Sequence, residues 1–230
     1  MSVKKHIPNF ITSLNLFTGC IGTYLAFQGN YECAFCCILL SSVFDFLDGF
    51  AARLLKAYSA IGKELDSLAD VISFGLLPGA MVFSLLQQSE LHYTIPFVGF
   101  LIPVFSALRL AKFNIDERQS TSFLGLPTPA NAIFWGGAIY SYSVFFMFQP
   151  WILCALVLLF SALLVTEIPM FSLKVKGFSW KANKTQYIFL LGCIVLLATL
   201  REDAFAPIIA WYIFFSILII AICTGKTARK

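Results

Sequence analysis

Eight apolar stretches follow one another along this 230-residue chain, and the connections between them leave no room for a soluble domain. A helix needs about 20 mostly apolar residues to cross the hydrocarbon core of a bilayer. The stretches run over Pro8–Gln28, Tyr31–Leu55, Leu65–Leu86, Thr94–Phe113, Pro129–Phe148, Trp151–Leu173, Gln186–Leu200 and Phe205–Cys223. Gly75, Pro78 and Pro103 fall inside them, which is tolerated in lipid-embedded helices as it is not in water. Composition points the same way. Charged residues make up 12% of the chain and hydrophobic ones 59%, against about 25% charged in a typical soluble domain. A disordered chain and a soluble enzyme are both excluded. The expected fold is an all-α, polytopic membrane bundle of about eight spans forming one domain over residues 1–230, with the last spans, 151–223, resting on hydropathy alone.

Lys and Arg placement gives an expected orientation, because these residues accumulate in cytoplasmic loops. Lys4 and Lys5 precede span 1; Arg53, Lys56 and Lys63 lie between spans 2 and 3; Arg109, Lys112 and Arg118 lie around the end of span 4. Lys174, Lys176, Lys181 and Lys184 separate spans 6 and 7, and Lys226, Arg229 and Lys230 end the chain. Only Arg201 falls on the other side, so both termini are expected in the cytoplasm. A net charge of +4 distributed in this way calls for no nucleic-acid partner. Asn9, Thr12, Asn15 and Thr18 interrupt the first apolar stretch, which reads as a retained helix rather than a cleaved signal. Seven cysteines in apolar stretches read as small buried residues rather than a disulfide framework. Cys33, Cys36 and Cys37 have no second ligand pair to complete a zinc site.

Four of only twelve acidic residues fall close together: Asp45, Asp48, Asp66 and Asp70. The first two are three apart and the last two four apart, so each pair shares a helix face. Spans 2 and 3 are joined by a short connection and are expected to be antiparallel neighbours whose acidic faces converge. Carboxylates near a bilayer are expensive and repel one another. Salt bridges to Arg53 and Lys63 would offset this, and so would a hard divalent cation such as Mg²⁺ or Mn²⁺, which prefers oxygen ligands. Gly49 lets a ligand approach the backbone, and Arg53 one turn later offers a fork suited to phosphate. Together they describe a site for a phosphate-bearing substrate.

The pattern Asp45-x-x-Asp48-Gly49-x-x-Ala52-Arg53, followed after eight residues by Gly62-x-x-x-Asp66-x-x-x-Asp70, resembles the signature of the CDP-alcohol phosphotransferases. Three further segments resemble the phosphatidylserine synthases within that superfamily. These are Ile7-Pro8-Asn9-Phe10-Ile11-Thr12 with Asn15 and Gly19; Asp66-Ser67-Leu68-Ala69-Asp70 through Gly75; and Leu108-Arg109-Leu110-Ala111-Lys112-Phe113-Asn114 with Phe123-Leu124-Gly125-Leu126-Pro127-Thr128-Pro129. The resemblance covers roughly residues 7–132. Lys112 departs from it, standing where Arg is expected; it keeps the charge and loses the fork.

The resemblance implies an integral membrane transferase that moves a phosphatidyl group from CDP-diacylglycerol to L-serine and releases CMP, in a prokaryotic cell (inner) membrane with its site facing the cytoplasm. It implies that Asp45, Asp48 and Asp66 hold two divalent ions, Mg²⁺ or Mn²⁺. Asp70 touches one of them and serves as general base. Gly49, Ala52, Arg53, Ser59 and Gly62 match positions that bind the CDP-diacylglycerol head, and Thr12 and Asn15 face the nucleotide or make helix–helix contacts. Arg109, Lys112 and Asn114 are the residues available to the serine carboxylate, although the two basic ones also suit plain interfacial anchoring. Membrane lipid is the surrounding partner, and a homodimer is compatible with this reading. A sister enzyme using glycerol phosphate or inositol phosphate would share the acidic signature, whereas the Gly-Leu-Pro-Thr-Pro segment argues against it. An ion channel or transporter would place its acids near mid-bilayer and would give Gly49 and Arg53 no reason for their fixed offsets.

Overall fold

The computed structural model describes residues 6–116, 123–171 and 180–227. Part of the basic pattern that suggests an orientation, Lys4, Lys5, Arg118, Lys174, Lys176, Arg229 and Lys230 included, lies outside them. The chain is mostly helical: α1 (His6–Phe27), α2 (Tyr31–Leu54), α3 (Ala60–Asp70), α4 (Leu77–Gln87), α5 (Leu101–Ile115), α6 (Thr128–Phe148), α7 (Pro150–Val165), α8 (Trp180–Leu200) and α9 (Phe205–Thr227). A π-helical stretch, Val71–Leu76, joins α3 to α4 without a break, and a 3₁₀ turn, Ile95–Phe100, leads into α5. Two short strands, β1 (Phe123–Leu124) and β2 (Pro169–Met170), pair antiparallel, with Phe123 opposite Met170.

Among the described residues, five stretches are long and apolar enough to cross a membrane: His6–Phe27, Tyr31–Leu54, Ala60–Gln87, Ile95–Ile115 and Asn183–Ala221. The last has 39 residues. As one straight helix it would run about 58 Å, nearly twice the hydrocarbon core. Instead the chain folds back through a 3₁₀ turn at Arg201–Ala204, where Arg201 takes a φ of 53°. Trp211 Nε1 then donates to the Phe189 carbonyl at 3.4 Å, and the Phe189 and Tyr212 rings meet edge to face.

The core is built around α4, in which every residue from Leu77 to Leu86 is buried. A helix that is apolar all round belongs in the middle of a bundle; α1, α2 and α6 pack on it. Large apolar side chains of the outer helices, such as Phe10, Phe17, Phe46 and Leu191, are exposed, as lipid-facing groups should be.

Several boundaries differ from those read off hydropathy. Span 3 begins five residues earlier, at Ala60, because the Ser59 hydroxyl caps the helix by accepting from Gly62 N at 3.0 Å. Span 6 ends at Val165 rather than Leu173, because the residue before Pro169 resists helical geometry and the chain turns extended at Thr166. Span 7 begins earlier, at Trp180. Nor are the cysteines generally buried. Of the six described, all free, only Cys154 is; Cys20, Cys33 and Cys36 are exposed on α1 and α2, where a small apolar thiol suits lipid as well as core. Spans 2 and 3 are neighbours, as expected: α2 packs against α4 and the Val71–Leu76 stretch, α1 packs against both α2 and α3, and the acid-bearing ends bring the carboxylates of Asp45, Asp48 and Asp66 together.

Candidate active site

Three helix ends make the site: the first turns of α1, the last turns of α2 and all of α3. α1 approaches closely because its small residues allow it. A Cβ on Gly19 would strike the Ser73 side chain and lie 2.9 Å from Ser73 Cα. That proximity makes Asn15 a hub. Its carbonyl accepts from Ser73 Oγ at 3.0 Å and Ser41 Oγ at 3.4 Å, while its Nδ2 donates to Asp70 Oδ1 at 3.4 Å. One turn earlier, Thr12 Oγ1 donates to Asp48 Oδ2 at 2.6 Å. α1 thus carries no acid itself and orients two of the four.

Asp45, Asp48 and Asp66 each present a carboxylate oxygen within 4.8 Å of the others. At that separation each pair repels by roughly 3–4 kcal/mol at an effective dielectric of about 20. Arg53 and Lys63 do not offset it: Arg53 Nε donates to the Gly49 carbonyl at 3.0 Å, and Lys63 Nζ to the Asn114 carbonyl at 3.1 Å. Asp66 Oδ1 is buried with no hydrogen-bond partner among the described residues. Three converging hard oxygen donors, one of them orphaned, fit a divalent cation. Asp70 stands apart from this trio. It lies one helical turn beyond Asp66, 6% exposed, at the point where α3 passes into the π-helical stretch, a feature frequent at functional sites.

A cleft of about 210 Å³ opens beside the trio. Thr12, Asp48, Gly49, Ala52, Ser59, Gly62 and Asp66 line it, as do Asn9 and Lys63 and also Tyr58, which no sequence pattern singles out. A Cβ at Gly49 would meet nothing closer than Arg53 Nη2 at 3.9 Å. Nothing in the protein itself requires glycine there, and its missing side chain widens the cleft. Gly62 is confined differently, since a Cβ would lie 2.9 Å from both Asn9 Oδ1 and Ser59 Oγ. Arg53 and Asn15 are not part of this lining. Asn15 is fully buried behind Asp70.

The expected acceptor residues separate into two groups. Arg109 and Lys112 line a second cleft, of about 380 Å³, between the end of α5 and the end of α7. Asn114 lines neither cleft; its Nδ2 donates to Ser67 Oγ at 2.9 Å and ties α5 to α3. Arg109 is 7% exposed, and its Nε has no hydrogen-bond partner among the described residues.

Fold and site together describe a helical membrane protein with a carboxylate site suited to a divalent cation at one end of the bundle. Residues 5–167 match the CDP-alcohol phosphatidyltransferase family, and the chain belongs to it. The match reaches the end of α7, beyond the stretch that carries the sequence resemblance. The chain is similar to the CDP-diacylglycerol–serine O-phosphatidyltransferase of Bacillus subtilis (strain 168), 38% identical over 129 residues, which are 54% of this chain and 70% of that protein. It is 35% identical over 129 residues to the archaetidylserine synthase of Methanothermobacter thermautotrophicus, spanning about half of it (54%). A CDP-diacylglycerol–serine O-phosphatidyltransferase of Mycobacterium bovis is 30% identical over 226 residues, 94% of this chain and 74% of the relative.

Proposed function

We propose that this protein transfers the phosphatidyl group of CDP-diacylglycerol to the hydroxyl of L-serine, giving phosphatidylserine and CMP. The observation that carries the reading is the convergence of Asp45, Asp48 and Asp66 beside a cleft floored by Gly49, with Asp70 held separately by Asn15. The names of the relatives support serine as acceptor.

In this reading the CDP-diacylglycerol head lies along Gly49, Ala52, Ser59 and Gly62. Arg53, whose Nε holds the Gly49 carbonyl, turns its other donors to a phosphate. Asp45, Asp48 and Asp66 would hold Mg²⁺ or Mn²⁺, two ions by the family resemblance, and such ions supply neutralisation of the charge that develops on a diphosphate leaving group. Asp70 takes the proton from the serine hydroxyl; its near-complete burial and the Asn15 amide fix its orientation. Arg109 and Lys112 receive the serine carboxylate. Residues 1–230 form one domain of eight spans with both termini in the cytoplasm, the active site faces the cytoplasmic side of a prokaryotic cell membrane, and the protein works as a homodimer.

The test is CMP release from CDP-diacylglycerol by the purified protein, offered L-serine, glycerol 3-phosphate or inositol phosphate in turn. L-serine alone should support release. Release with a phosphorylated alcohol and none with serine would assign the protein to a sister activity.

A further inference from the structure

The cleft between α5 and α7 is lined by charges of both signs. Arg109 and Lys112 come from α5, Asp116 directly follows it, and Glu167 lies just past the end of α7, next to Thr166. Arg109 marks it as a ligand site, because a guanidinium that is nine-tenths buried with an unpartnered Nε is costly unless something fills the cleft it lines.

The wall that carries Glu167 is held in place. Gly125, at a φ of 73°, lays its backbone across the end of α7. Its N–H donates to the Ile168 carbonyl at 2.9 Å, and Leu126 N–H donates to the Leu163 carbonyl at 3.0 Å. A Cβ at Gly125 would lie 2.7 Å from the Leu164 carbonyl oxygen and 2.8 Å from that of Thr166. Only glycine allows this approach, and the β1–β2 pairing closes the same strap from its other end. Residues 166–168 are thereby pinned opposite Arg109 instead of continuing the helix.

We propose that this cleft recognises its acceptor as a zwitterion: Arg109 and Lys112 take the carboxylate, and Glu167 with Asp116 takes the α-ammonium. The proposal rests on the reading of the protein as a transferase with an amino-acid acceptor. It adds the element that rejects the alternatives. Glycerol phosphate and inositol phosphate carry negative charge and no ammonium, so the two carboxylates oppose them while favouring an amino acid. α5, which carries Arg109 and Lys112, packs against the Val71–Leu76 stretch that directly follows Asp70, so the cleft lies beside the element that holds the base.

The experiment uses the full-length protein in mixed micelles and compares wild type, Glu167→Gln, Asp116→Asn, the double variant and Glu167→Asp, measuring KM for L-serine and for CDP-diacylglycerol. The double variant should raise the serine KM about tenfold or more, the weight of a charge-assisted hydrogen bond, and leave the CDP-diacylglycerol KM unchanged. Glu167→Asp, which keeps the charge, should recover most of the serine affinity. An unchanged serine KM in the double variant overturns the proposal. So does an equal loss for both substrates, which would make the two carboxylates structural. Failure of the wild-type protein to release CMP with serine would instead remove the underlying functional reading.

Discussion

Thr12→Val isolates the contribution of α1 to the carboxylate trio. The Thr12 side chain is 3% exposed, and its single hydroxyl proton faces two acceptors, Asp48 Oδ2 at 2.6 Å and the Pro8 carbonyl at 3.0 Å. The shorter contact is in the range of a charge-assisted bond, so the proton belongs to Asp48. Valine keeps the shape and removes the donor, leaving the buried Asp48 oxygen unpaired at a cost of about 1–3 kcal/mol. Loss of a partner that orients a metal ligand typically weakens metal affinity about 10–100-fold. The assay is CMP release against free Mn²⁺ at saturating CDP-diacylglycerol and serine. Thr12→Val should move the half-saturating Mn²⁺ concentration upward by that factor, and Thr12→Ser, which restores the hydroxyl, should return it close to wild type. An unchanged Mn²⁺ requirement in Thr12→Val would refute the positioning role. A Thr12→Ser variant as impaired as the valine would trace the effect to packing.

Asp66→Asn should weaken CDP-diacylglycerol binding together with metal binding, whereas Asp70→Asn should keep most of that binding and lose turnover by about 10²–10⁴-fold; near-normal turnover in Asp70→Asn would mean that the base is another group. Gly125→Ala forces a β-carbon into the carbonyls at the end of α7 and an unfavourable positive φ worth about 1–2 kcal/mol. It should raise the serine KM while leaving the CDP-diacylglycerol KM alone, and equal effects on both would show that the strap does not shape the acceptor cleft. For topology, in a background without native cysteines, Glu202→Cys should react with a membrane-impermeant thiol reagent on intact cells and Lys230→Cys should not; labelling of both would contradict two cytoplasmic termini.

Local periodicity carries much of the site. Spacings of three and four place Asp45 with Asp48 and Asp66 with Asp70 on shared helix faces, and Ser59 is both a recognisable cap and a cleft residue. What depends on one helix meeting another is not legible in that way. Thr12 and Asn15 look like isolated polar residues in an apolar span until Gly19 brings α1 against Ser73. The separation of Asp70 from the other three acids follows from how deeply α3 enters the bundle, and hydropathy cannot show the π-helical stretch after it. The Gly-Leu-Pro-Thr-Pro segment is visible as a motif, yet its strapping of α7 depends on residues some forty positions apart. Asn114 belongs to the same motif as Arg109 and Lys112 but faces α3, because helical spacing turns it away from the cleft they line.

Transfer of radiolabelled L-serine into extractable lipid tests the central claim most directly. The purified protein, given CDP-diacylglycerol and Mn²⁺ or Mg²⁺, should place the label in a lipid product in one-to-one proportion with the CMP released. Chelation should abolish the transfer, and added metal should restore it. CMP release with no label entering lipid, or full transfer in excess chelator, would contradict the account.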